Sequence, residues 1–398
     1  MDGKWGMIDP DTPEEFKTKK SYMSNKDLQL IFSDEFNVDN RTFYPGDDPY
    51  WEAYDLHYWG TNNLEWYDPA QITTRDGALR VTLDKKKNHD LDYSGGMMTT
   101  WNKFCFTGGL YEASVTLPGA NNILGLWPAV WAMGNLGRAG YGATLEGTWP
   151  YTYDSCDVGT VKNQTVNGQP KAATVDGDEG FGGVLSYAPG QRLSRCTCPG
   201  ETHPGPIHSS DNTFVGRAAP EIDMFEAQVD TKLGGHVSQS GQWAPFKHDQ
   251  ACYELEEGCF SLYGFEYKPG FDDAYITWIN AGAAAWTIKS AGLAADPKVQ
   301  IGARPIPQEP MYLIVNLGSS QNFGPVDFEH LTFPTTMSID YIRVYQDPDN
   351  INYGCDPDDF PTAAYIKQFE EAYANPNLTT WVDDYKQPWP KNSFLGEC

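Results

Sequence analysis

The 398-residue chain carries 28 Lys and Arg against 54 Asp and Glu, a formal net charge of −26. A 40% hydrophobic share supplies a substantial core and excludes a disordered chain, and the acidity excludes phosphate-backbone binding, which needs concentrated basic charge. The longest apolar run, Ile123 to Met133, is too short for a membrane span and is broken by Gly125 and Pro128.

Residues 1–28 are polar and read as an irregular lead-in. From Leu28-Gln-Leu-Ile-Phe onward, short runs with period-two alternation recur between Asp-Gly, Gly-Gly and Pro-Gly turns. Gly77–Leu83, Gly109–Leu117, Glu221–Glu226 and Ser338–Tyr345 are examples. Many strands and few helices imply an all-β jelly-roll sandwich over 29–350. Residues 139–220 break the pattern, being rich in Gly, Pro, Asp and Ser with three cysteines. A stretch that long reads as a disulfide-pinned insertion or an elaborated functional surface. The tail, 351–398, offers one helix with Ala363, Ile366, Phe369 or Glu370, and Tyr373 on one face, between Pro361 and Pro376.

Eight cysteines and three sequons, at Asn40, Asn163 and Asn377, suit an oxidising, glycosylating compartment. The start, Met1-Asp-Gly-Lys-Trp, lacks a signal-peptide pattern. The chain is therefore expected to be an excised lumenal or extracellular portion of a longer protein; reduced cytosolic thiols are the alternative. A bridge between Cys355 and Cys398 would close the tail, though spacing does not fix connectivity. Cys196, Cys198, His203 and His208 could suggest zinc. Their spacing fits no finger pattern, and Pro204, Gly205 and Pro206 mark a loop, so no metal is assigned to them.

The chemical signal is Glu221-Ile-Asp-Met-Phe-Glu226. In a regular strand Glu221 and Asp223 share one face and Glu226 falls on the other, among apolar neighbours, where an unpaired carboxylate is costly. A β-bulge near Met224 and Phe225 would return Glu226 to the face of Glu221 and Asp223. Paired carboxylates can then serve as nucleophile and acid/base of a glycosidase, about 5–5.5 Å apart in retaining enzymes and about 6.5–9.5 Å in inverting ones. Three solvated acids on an exposed strand, or a Ca²⁺ site, would show the same letters.

Glu-Ile-Asp-x-x-Glu resembles the signature of glycoside hydrolase family 16. Gly125–Gly134, Met311–Gly318 and Ile339–Gln346 resemble that family's cleft strand and last two strands. Phe32-Ser-Asp-Glu-Phe, Asp47-Asp-Pro-Tyr-Trp, Leu64-Glu-Trp-Tyr-Asp-Pro, Trp149–Cys156, Gly190–Cys198 and Trp389–Ser393 resemble the fungal proteins associated with β-1,6-glucan synthesis in the cell wall. The resemblance implies a retaining β-glucan glycosidase or transglycosylase with Glu221 as nucleophile, Asp223 as its assisting carboxylate and Glu226 as acid/base. A glucan-binding or assembly factor on the same fold is the alternative.

Trp127 and Trp131, four apart on one strand face, are candidates for the cleft or for the core. Gln242 takes a place where family members commonly carry a site-facing His, with Trp243 next to it. Asn316, Glu65 and Trp66 are further sugar-contact candidates; Asp340 with Glu35 could reproduce a structural Ca²⁺ site seen in parts of the family, but a plain strand-end carboxylate is the preferred reading and no metal is assigned. No other cofactor is implied. The expected partner is a β-glucan, met by a monomer in the secretory lumen, at the plasma membrane or at the cell surface, with any membrane contact through an anchor outside this chain. The 13 Trp, 23 Tyr and 19 Phe suit strands, cores and sugar-stacking platforms alike.

Overall fold

Two curved sheets pack face to face in the computed structural model, which describes residues 6–175, 177, 182–248, 254–255 and 261–398. The outer sheet orders its strands as 18–20, 27–34, 335–346, 109–116, 261–268, 275–280 and 283–289, with 78–83 and 72–75 continuing from 335–346. The inner sheet runs 254–255, 234–242, 221–230, 127–134, 311–318, 93–99, 65–67 and 56–57, with 52–53 beside 93–99. Among the described strand pairs all are antiparallel except 65–67 against 93–99. The architecture is the all-β jelly roll that the alternation implied.

The alternation also explains the two cores. On Trp127–Gly134, Val130 and Ala132 enter the sandwich, while Ala129, Trp131 and Met133 belong to a second cluster on the opposite face. Met311–Gly318 does the same, with Leu313, Val315 and Leu317 inside the sandwich and Tyr312 and Ile314 outside it. Both strands are covered on both faces and so read as continuous apolar runs. Ala139, Tyr141 and Ala219 from the insertion contribute to the second cluster. The insertion therefore builds on the inner sheet instead of looping free.

Residues 6–28 are less irregular than their composition implies. Thr18–Lys20 forms an edge strand paired to Asp27–Asp34, using backbone groups whose pairing a polar sequence does not reveal. The tail helix is broken at Phe369 into Ala363–Gln368 and Glu370–Ala374. Its buried face is Tyr365, Ile366, Phe369, Ala372 and Tyr373, packed on Leu136 and on Ala143 and Leu193 of the insertion, and Ala363 is exposed.

The connectivity that spacing left open does not close the tail on itself. Cys355 pairs with Cys105, Cys398 pairs with Cys198, and Cys156 pairs with Cys196. The tail is thus bound to the body and to the insertion, a connectivity set by three-dimensional proximity that spacing does not encode. Cys252 and Cys259 lie outside the described residues. The other two members of the zinc-like cluster have their own contacts: His203 stacks on Phe214 and burial pushes its pKa down to about 3, while His208 meets Asp154 at 3.0 Å. Asn40 and Asn377 are exposed and Asn163 is half-buried.

A buried ion pair joins the same three regions. Arg217, at the end of the insertion, makes two hydrogen bonds of 2.8 Å to Glu309 and donates to the carbonyls of Gly205 and of Pro361 in the tail. Among the described residues no helix is long and apolar enough to cross a membrane.

Candidate active site

The strand Glu221–Asp230 carries the bulge. Opposite it, Ala129 pairs with Glu226, Val130 with Phe225 and Trp131 with Asp223, so Met224 is the extra residue. The other neighbour shows the same jump, with Asp223 opposite Ser240 and Glu226 opposite Ser238. Met224 and Phe225 both enter the sandwich core, and Glu221, Asp223 and Glu226 line one pocket on the inner sheet. The bulge solves the sequence's conflict between a two-residue repeat and a carboxylate on the wrong face.

A bulge frees backbone carbonyls that must find other donors. Trp278 Nε1 crosses from the outer sheet to donate to the Asp223 carbonyl at 2.8 Å. Gln239 Nε2 donates to the Met224 carbonyl at 3.0 Å and to Ile279 at 2.9 Å. Both side chains are buried, and together they hold the backbone that aims Glu226. Gln239→Leu leaves those carbonyls unpaired. It is expected to cost about 1–3 kcal/mol in denaturant unfolding and, in protein that remains folded, to lower turnover through misaimed Glu226. A variant with unchanged midpoint and turnover would show that the bulge holds itself.

Each carboxylate has a dedicated donor. Trp149 Nε1 donates to Glu221 Oε2 at 2.6 Å, Ser240 Oγ to Asp223 Oδ2 at 2.8 Å, and Trp127 Nε1 to Glu226 Oε1 at 2.9 Å. Burial, and then the charge of Glu226, raise Glu221 to about 7; burial, and then Asp223, raise Glu226 to about 8. Burial and the Glu221 charge hold Asp223 well above its usual range. The trio titrates as a unit, with burial and mutual repulsion raising all three groups. Such a cluster can keep a proton for the leaving group beside an ionised nucleophile.

The surroundings sort the other candidates. Trp127 lines the pocket and stacks on Phe323, ring centroids 4.1 Å apart. Trp131 is 8% exposed on the pocket floor, where Nε1 donates to Asn316 Oδ1 at 2.7 Å. Asn316 also lines the pocket and donates to the Tyr67 hydroxyl at 3.3 Å. Glu65 is fully buried beneath it, accepting from Asn63 at 2.6 Å and from the Ser319 amide at 2.9 Å, so it braces pocket residues and does not face a ligand. At Gly318 a Cβ would come within 2.3 Å of the Glu65 carboxylate, which is why only glycine fits there.

Three expectations need correction. Trp243 belongs to the sandwich core, its ring folded over Gly241 of its own strand, and offers no platform. Trp66 lies outside the pocket, donating to Asp55 at 2.7 Å and stacking on His89, because alternation turns it away from the face of Glu65 and Tyr67. Gln242 stands opposite Glu221 in register and hydrogen-bonds Asp223, but it lines a neighbouring groove instead of the carboxylate pocket.

Sequence reasoning did not assign Trp149, Tyr58 or Asn63 to the pocket. Trp149 stands in a motif that carries the resemblance, but nothing local indicates that it meets a carboxylate 72 residues away.

Asp340 and Glu35 do not fit a cation. Both Glu35 oxygens are taken by Arg343, at 2.9 and 2.8 Å, and Thr12 adds a third bond at 2.8 Å. A guanidinium already supplies the positive charge that Ca²⁺ would bring, and among the described residues no cluster of three His, Cys, Asp or Glu could hold a metal.

Comparison with known proteins places the chain in a family. The family model described as beta-glucan synthesis-associated protein SKN1/KRE6/Sbg1 matches residues 2–254 and 247–398. The beta-glucan synthesis-associated protein KRE6 of Saccharomyces cerevisiae is 43% identical, over 98% of this chain and 56% of its own length. SKN1 of Candida albicans is 42% identical, over 98% and 54%. The chain therefore spans about half the length of these relatives. Among solved structures, the family GH16 non-specific endo-β-1,3(4)-glucanase SCLam shares the fold, with a TM-score of 0.50 at 17% identity, over 83% of this chain and 98% of that one. The chain belongs to the SKN1/KRE6/Sbg1 family of beta-glucan synthesis-associated proteins.

Proposed function

We propose that this domain is a retaining β-glucan glycosidase or transglycosylase acting in cell-wall β-1,6-glucan synthesis or remodelling. The observation that carries the reading is the bulge, which gathers Glu221, Asp223 and Glu226 into one pocket. A bulge that serves only packing has no need to return a third carboxylate to a shared pocket. An Endo-1,3-1,4-beta-glycanase of Rhizobium meliloti, EglC, 26% identical over 52% of this chain, supports the reading.

Glu221 attacks the anomeric carbon while Glu226 gives its proton to the departing oxygen. Asp223, bonded to Glu221, steadies the nucleophile. Trp149 loosens its share of the Glu221 charge as the ester forms, and Trp127 keeps Glu226 aimed. In the second half, water or a glucan hydroxyl attacks the same carbon and yields its proton to Glu226. Family membership favours transfer to a glucan hydroxyl. The domain works in the secretory lumen or at the cell surface, where its disulfides are stable.

The test is product analysis by NMR with β-1,3- and β-1,6-linked oligosaccharides. The β-anomer as first product is expected. The α-anomer would overturn retention, and tight binding without any product would leave a glucan-binding assembly factor in place of the enzyme.

A further inference from the structure

The strand Met311–Gly318 runs on into a loop, residues 319–331, that folds back against the approach to Trp127–Gly134. Two hydrogen bonds clasp it there: Ser319 Oγ donates to the Gly125 carbonyl at 2.6 Å, and the Asp327 amide to the Leu124 carbonyl at 3.1 Å. Gly125, at a φ of +124°, leaves the room this needs, since a Cβ would come within 2.7 Å of Val326. Ser320 Oγ ties the loop to the Thr61 carbonyl at 2.5 Å, and the Phe323 amide donates to the Ser320 carbonyl at 3.2 Å. A Cβ on Gly324 would stand 3.2 Å from Gln228 Oε1, so the loop also reaches the strand of Glu226, two residues beyond it.

This clasp lays Phe323 on Trp127, with ring centroids 4.1 Å apart and planes 3° from parallel. Both rings are half-buried and neither belongs to the sandwich core, so the stack, and not core packing, sets the tilt of the indole. The tilt matters because the indole N–H goes to Glu226 Oε1, at 2.9 Å. Among the described residues Glu226 Oε2 accepts no hydrogen bond. The oxygen that accepts an N–H is the poorer site for the carboxyl proton, so in the acid form the proton belongs on Oε2. Phe323 itself does not line the carboxylate pocket.

We infer that Phe323 is a positioning residue for the acid/base: by holding the Trp127 indole, it keeps the Glu226 proton on the oxygen offered to the glycosidic bond. This rests on the function proposed above. In the first step that proton passes from Oε2 to the departing oxygen, which keeps the electron pair of the broken C–O bond, while Glu221 bonds to the anomeric carbon. In the second, the O–H of water or of an acceptor sugar attacks that carbon and returns a proton to Oε2, and the bond to Glu221 breaks with its electron pair going to the carboxylate. Phe323 touches none of these atoms. Its influence reaches Glu226 through one indole N–H and falls on proton delivery, so it grows as the leaving group becomes a poorer one.

The test compares Phe323→Ala with the parent on aryl β-glycosides that share one β-glucan chain and differ in the acidity of the leaving group. For the most basic leaving groups kcat/KM is expected to fall about tenfold, and for the most acidic, which depart without a proton, to stay the same. Phe323→Tyr keeps the ring and should restore the parent's pattern, and Trp127→Phe/Phe323→Ala should be no slower than Trp127→Phe. An equal fall for every leaving group would overturn the role, since it would mean a lost sugar contact or a damaged fold. A second readout needs no turnover. The Trp127 indole N–H, assigned in NMR spectra by its loss in Trp127→Phe, should exchange with solvent about tenfold faster in Phe323→Ala. Unchanged exchange would overturn the positioning. Phe323→Leu, which fills the space without a ring, takes the same measurements if the alanine chain does not fold. A parent chain that forms no product from any donor would defeat the enzymatic reading, and the indole exchange would then decide by itself whether Phe323 holds Trp127.

Discussion

Glu221→Gln is expected to lower turnover of β-glucan oligosaccharides by about 10³-fold or more, because the amide cannot form the glycosyl ester. Glutamine keeps the shape of the side chain, so the thermal midpoint should hold or rise. At neutral pH the wild-type chain spends free energy holding acidic groups in a pocket that disfavours their charge, and the variant removes one of them. The pH profile gives a second readout. Activity needs Glu221 ionised and Glu226 protonated, so the acid limb lies near the value of about 7 for Glu221 and the alkaline limb near about 8 for Glu226. Below the first, the nucleophile is protonated; above the second, the proton donor is lost. The limbs belong to the coupled trio and not to single residues. Glu226→Gln should remove the alkaline limb and spare substrates whose leaving groups need no protonation. Full activity in Glu221→Gln, measured by product formation, would remove this strand from the chemistry.

The second large effect is on stability. Arg217→Met is expected to cost about 3–5 kcal/mol in denaturant unfolding, because it leaves the buried Glu309 carboxylate without its guanidinium. It also removes the donor to the Gly205 and Pro361 carbonyls, so insertion and tail should loosen together. Arg217→Met/Glu309→Met should recover much of the loss, since the penalty is that of an unpaired buried charge and not the net worth of the pair. If the single variant costs less than about 1 kcal/mol, the ion pair is not what fastens the three regions.

These two sites differ in how far the sequence reveals them. Glu221, Asp223 and Glu226 lie within six residues of one another, and their spacing conflicts with strand alternation in a way that only a bulge resolves. The conflict is local, so the sequence exposes it. The donors that make the bulge workable are remote: Trp278 comes from the opposite sheet and Trp149 from the insertion. Arg217 and Glu309 are 92 residues apart and carry no pattern that pairs them. Trp127 and Trp243 carry the same side chain near the same motifs, yet one lines the pocket and the other fills the core. Residue type fixes what a tryptophan can do, and the curvature and packing of the sheets fix which of those it does.

What the sequence determined by itself follows from short-range physics. Two-residue alternation implies sheets, and a carboxylate that alternation would turn among apolar neighbours implies a bulge. The tertiary structure alone decided the disulfide partners, the conversion of residues 139–220 into a wall of the site, the assignment of Glu35 to Arg343, and the stack of Phe323 on Trp127. Each of these depends on groups brought together by the folding of both sheets, across separations that no periodicity reaches.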